Sequence, residues 1–201
     1  MERFVVSGLL LVSLACPCCA QIVARVFDEV NIPGRVLRAA EEEAASALAT
    51  GGIALRWTDC SHEQACRAPL APNELVIVIR LSRPATVTSR KGEVLGNAAG
   101  PQDGSGVYAW VWYDEVRRAA AIAGLTTWHD LLGCVIAHEI GHLLLGPDHY
   151  GGTVMQANWG LHELALISQQ RLGFDAGQRL RMQSRALARC RPSRAGAASR
   201  D

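Results

Sequence analysis

The chain has 201 residues, 49% of them hydrophobic, and a formal net charge of +1. That is enough apolar material for one sizeable core, and the charge balance offers nothing to a nucleic acid or a strongly acidic partner. No internal repeat stands out at solenoid periods, so a single domain is expected.

The first twenty residues read as a secretory signal peptide. Arg3 supplies the positive start, and Phe4 to Ala15 is an apolar run too short to span a bilayer. Ala20-Gln21 is then a cleavage junction, with small residues at Cys18 and Ala20. This implies a secreted or periplasmic mature chain with no transmembrane segment. The alternatives are a buried N-terminal element, or a lipoprotein anchor at Cys16, which Ser13 three places earlier fits poorly. Removal of the signal leaves Cys60, Cys66, Cys134 and Cys190. An even number in an exported chain permits disulfides. Cys60 and Cys66 can close a small loop. Cys134 and Cys190 can pair or remain thiols. Cys60-x5-Cys66 with His62 inside is not a standard zinc spacing.

Gln21 to Phe27 reads as a strand, followed by a helix from Pro33-Gly34 to Thr50 that Gly51-Gly52 ends. Its inner face carries Val36, Leu37, Ala40, Ala44, Ala47 and Leu48. Ile53 to Thr58 and Leu75 to Leu81 are further strands, the latter β-branched and central. This β-α-β start argues for a mixed sheet with helix cover. Ser82 to Gly106 is rich in Gly, Ser, Pro and Asn and reads as a long surface loop. Val107 to Tyr113 is a strand with Tyr108, Trp110 and Trp112 on one face. Leu161 to Gln170 and Ala176 to Cys190 read as helices, and residues 191–201 as a disordered basic tail.

The chemistry is concentrated in His138-Glu139-Ile140-Gly141-His142. On a helix, His138 and His142 lie on nearly one face, about 6 Å apart along the axis. Glu139 is turned about 100° from His138. Two imidazoles so placed can bind one metal ion, while the Glu reaches a metal-bound water without being a ligand. The flanks favour such a helix. Thr127-x-x-Asp130 reads as a capping box, and Leu131, Leu132, Val135, Ile136, Ile140, Leu143 and Leu144 give a broad apolar surface. Gly146-Pro147 stops it. Polar groups on a buried helix need partners, and a metal supplies them. A third ligand must follow, and Asp148 and His149 compete for that place. His62, His129 and His162 stand outside the motif's register and are expected to be ordinary surface or core histidines.

This segment resembles the metzincin zinc metallopeptidases, whose extended motif is HExxHxxGxxH, or HExxHxxGxxD in snapalysins, followed by a turn containing Met. Here it reads HEIGHLLLGPDH, with Gly146 one place late. Counted without a gap the third ligand is Asp148; counted from Gly146 it is His149. The resemblance is closer to small secreted bacterial metzincin-like proteins with HExGHLLLG and a following His, so His149 is the expected ligand and Asp148 the alternative. Met155 resembles the Met of that turn, an apolar floor below the metal, though an ordinary core Met would look the same. Ala157 stands where some metzincins carry an assisting Tyr. The resemblance implies an α+β, metzincin-like domain over residues 21–190, with a mixed twisted sheet, an active-site helix and a mainly helical C-terminal part. It implies that the Val107 to Tyr113 strand is an edge pairing with extended peptide substrate; a doubly packed core strand is the alternative.

The expected function is that of a secreted zinc endopeptidase acting on peptide or protein substrates. His138, His142 and His149 would hold Zn2+, with Glu139 as general base. The competing reading is a non-catalytic zinc-binding or structural module on the same fold.

Overall fold

The computed structural model describes residues 21–61, 64–86, 94–101 and 103–190. The expected signal peptide, the basic tail and His62 lie outside them. Five strands form one mixed sheet in the order β2-β1-β3-β5-β4. These are β1 (Gln21–Asp28), β2 (Ala54–Asp59), β3 (Glu74–Arg80), β4 (Gly96–Ala99) and β5 (Tyr108–Trp112). The contacts of β1 with β2 and β3, and of β3 with β5, are parallel; β4 runs antiparallel to β5.

The alternation of side chains along a strand explains the core. The register aligns Ala24 with Leu75, Val26 with Ile77, and Ile77 with Ala109. One face therefore presents Ile22, Ala24, Val26, Leu75, Ile77, Ile79, Ala109 and Val111, all buried. Two long helices, α1 (Gly34–Thr50) and α3 (Trp128–Leu145), pack side by side on the described core. Small residues allow their close approach: a Cβ on Gly133 would lie 2.5 Å from the Ala40 carbonyl oxygen. The seven apolar residues expected to face inward on α3 are all buried. A shorter helix α2 (Tyr113–Ile122) follows β5 directly, and α4 (Leu161–Ser168) and α5 (Ala176–Cys190) are the last described elements. On the other face of the sheet, Arg25 is buried and donates to the Cys66 and Ala68 carbonyls and to Glu74. A disulfide joins Cys60 to Cys66, and Cys134 is a buried thiol.

Three expectations change. The stretch read as one long loop contains β4, whose short Gly-Asn-Ala-Ala sequence has no apolar alternation to reveal it. Consequently, of the two readings of the Val107 to Tyr113 strand, the edge fails and the core strand holds: β5 lies between β3 and β4, and β4 takes the edge. Finally, Thr127 precedes α3 without a side-chain cap. Its carbonyl, not its hydroxyl, accepts from the Asp130 N–H.

Candidate metal centre

The second half of α3 faces a cavity of about 760 Å³, bounded by β4, α2, α4 and the loop from Gly146 to Gly160. His138, Glu139, His142 and His149 all line it. One ring nitrogen from each of His138, His142 and His149 falls within a cluster 4.8 Å across. Asp148 is exposed and outside that cluster, although its charge reaches His142 and His149. Among the described residues this is the one such grouping, and neither His129 nor His162 joins it.

Backbone carbonyls decide the tautomers. His138 Nδ1 lies 2.7 Å from the Val154 carbonyl oxygen, and His142 Nδ1 lies 2.9 Å from that of Gly146. A carbonyl only accepts, so each Nδ1 carries the proton and each Nε2 presents a lone pair. The two Nε2 atoms are 3.0 Å apart. Two lone pairs cannot hydrogen-bond to each other, so the pair has the donor chemistry of a cation site. Protonation does not resolve the conflict at ordinary pH. Burial, and then the charge of His142, pushes His138 down to about 3, and burial lowers His142 and His149 as well.

The loop after α3 builds this geometry. Gly146 has φ 95°, which a side chain would strain, and it turns its carbonyl back toward His142. The chain then returns through a turn held by Tyr150 N–H to Met155 O and by Thr153 Oγ1 to Tyr150 O. Val154 N–H donates to Gly173 O, which anchors the same residue whose carbonyl orients His138. Met155 is fully buried directly beneath α3. It occupies the space a side chain at Gly141 would need, so the Gly inside the motif makes room for the Met. Trp159 packs at right angles to the His138 ring, 5.7 Å between centroids. The Tyr150 hydroxyl accepts from Arg181, which also lies over its ring.

Glu139 is 4% exposed, and its Oε2 has no hydrogen-bond partner. Burial raises its carboxyl to about 8. An orphaned buried oxygen of a neutral carboxyl group costs on the order of 1–3 kcal/mol. Glu139 lines the same cavity as the three converging imidazoles. A zinc ion therefore fits the residues present: neutral imidazole donors, those of His138 and His142 with fixed tautomers, and a buried carboxyl oxygen without a partner.

The structure brings together His138, His142 and His149, with Glu139 lining the same cavity and Asp148 outside the cluster. Sequence reading missed Gly96 of β4, which faces Glu139, and Gly141's service to Met155. A Gly inside a buried helix was the available signal for the second.

The α+β fold is metzincin-like. It is similar to the crystal structure of archaemetzincin from Methanopyrus kandleri, with a TM-score of 0.53 and 14% sequence identity, covering 85% of this chain and 98% of that one. At that identity the likeness is one of fold. No family model and no curated protein matches the sequence.

Proposed function

We propose that this chain is a secreted zinc-dependent endopeptidase in which His138, His142 and His149 hold the metal and Glu139 is the general base. The carrying observation is the pair of Nε2 lone pairs 3.0 Å apart beside a third imidazole and an orphaned Glu139 Oε2. A bound zinc would act as a Lewis acid on a carbonyl and make its water a nucleophile near neutral pH. With a cation's charge beside it favouring the ionised form over the burial that raises its carboxyl in the metal-free protein, Glu139 would accept the proton of the attacking water and later return it to the leaving amine. Val154 and Gly146 carbonyls keep the imidazoles in the ligating tautomer.

Peptide substrate would add to the sheet at β4. Trp112 N–H donates to Leu95 O, so Gly96 and Val111 face each other without mutual hydrogen bonds. Gly96 and Ala98 then turn their N–H and C=O groups away from β5, free to pair with an extended chain. The cavity wall of Ala119, Ile122, Leu131, Val135 and Leu164 would receive an apolar side chain. Export is supported by the Cys60–Cys66 disulfide, and no described helix is long and apolar enough to cross a membrane.

The test is metal analysis of the purified protein beside cleavage of labelled casein. About one zinc per chain is expected, with chelator-sensitive cleavage that Glu139→Ala abolishes while the metal stays. Cleavage unaffected by that substitution would sink the mechanism. Metal without any cleavage would favour the non-catalytic module.

A further inference from the structure

The residue opposite Glu139 on the edge strand is Gly96, and its missing side chain is where the carboxylate sits. A Cβ on Gly96 would lie 2.5 Å from Glu139 Oε1 and 2.8 Å from both Cδ and Cγ. Optimal carbon contacts are about 3.5–4.0 Å, so these approaches are well inside contact distance. All three nearest atoms belong to Glu139. Backbone conformation does not ask for glycine here, because Gly96 is not among the positive-φ residues. Its neighbours Asn97, Ala98 and Ala99 all carry a Cβ in the same strand. What singles out position 96 is the space that Glu139 fills.

We infer that Gly96 is a positioning residue for Glu139: the bare backbone of β4 is the wall that sets where the carboxylate stands over the three-histidine cluster. One residue thus serves two purposes, offering its backbone to a substrate strand and its vacant side-chain volume to the base. Among the described residues Glu139 Oε2 has no hydrogen-bond partner, and the rest of the carboxyl group packs against Gly96. The catalytic meaning rests on the peptidase reading; the contact itself does not.

The experiment is a double-mutant cycle on the zinc-loaded protein with Gly96→Ala, Glu139→Ala and both. Alanine suits a strand better than glycine. Gly96→Ala should therefore lower the melting temperature when Glu139 is present, and leave it unchanged or raised when residue 139 is Ala. An equal drop in both backgrounds would overturn the inference. If Gly96→Ala alone fails to fold, recovery of folding in the double variant supports it, and failure of both overturns it. The second readout is kinetic. Gly96→Ala should lower kcat on labelled casein about a hundredfold, as a 1 Å misplacement can. KM and zinc content should hold, because the backbone edge and the imidazoles are untouched. A raised KM with kcat preserved would mean Gly96 serves substrate only, against the inference. A wild-type protein that holds zinc and cleaves nothing brings down the peptidase reading, and the melting cycle alone then decides on Gly96.

Discussion

Glu139 and Glu43 are both buried carboxylates packed on α3, and they sit in opposite surroundings. Each has an Oε2 with no hydrogen-bond partner among the described residues, at 4% and 2% residue exposure. Glu43 looks into the seam between α1 and α3. Its Oε1 lies 3.5 Å from the Cys134 thiol, with Asp130 close enough to influence it and Gly133 closing the gap. Glu139 looks into an open cavity beside converging ring nitrogens. Burial raises both carboxyls. Burial of an acid therefore does not mark a site; what distinguishes Glu139 is space for a reactant and donors that require an ion.

The largest effect should separate the two acids directly. Glu139→Gln keeps shape and removes the proposed base, so cleavage should fall by about 10²–10⁴-fold with zinc retained. Glu43→Gln should leave the cleavage rate unchanged. Assaying both on the same casein substrate breaks the comparison if Glu43→Gln is the more damaging.

The ligand set offers the next contrast. His149→Ala should release the zinc, while Asp148→Ala should keep about one ion per chain, read by metal analysis after dialysis. The reverse result would make Asp148 the third ligand and His149 its neighbour. In the native protein, zinc at a thousand times its dissociation constant should add about 4 kcal/mol of stability, so a chelator should lower the melting temperature.

On the Glu43 side the effect is mechanical. The α1–α3 seam is tight at Gly133, where a Cβ would meet the Ala40 carbonyl and Glu43 Cβ. Gly133→Ala should cost about 1–3 kcal/mol through overpacking, in spite of alanine's better helix propensity. Denaturant unfolding measures it. Since Gly133 is more than a turn from His138, zinc content should be retained in the folded fraction.

The two sides were unequally legible in the sequence. His138, Glu139 and His142 announce themselves because helical spacing alone puts two imidazoles on one face. The apolar residues of α3 show that this helix is buried. Gly146 shows the displaced turn, but whether His149 or Asp148 returns to the cluster depends on how the loop is laced by Val154, Gly173 and Thr153, which no local pattern encodes. β4 is invisible because four small or polar residues at a sheet edge carry neither alternation nor β-branching, and without it the sequence leaves β5 open between an edge and a core strand. Glu43 is as hidden in the sequence as β4. On α1 it reads as one of three consecutive acids, Glu41 to Glu43, and only the packing of α3 buries it.

The smallest expected effect concerns the pH dependence that Glu43 imposes. Burial holds its carboxyl above the ordinary Glu value, and the Cys134 contact only partly offsets this. The folded state then binds the proton more tightly than the unfolded chain. Stability from this group is complete below the unfolded pKa of about 4.3 and is lost as pH rises through the folded value. Glu43→Gln cannot ionise, so its advantage over the native protein should grow as pH rises from acid toward neutral. Glu41, raised to about 7, and Glu139 slope the same way in both proteins. They cancel in the difference between the two stability curves, measured by denaturant unfolding at successive pH values. A constant difference would mean that Glu43 titrates alike folded and unfolded. The seam would then accept a charged carboxylate as readily as water does, and the contrast with Glu139 would lose its basis.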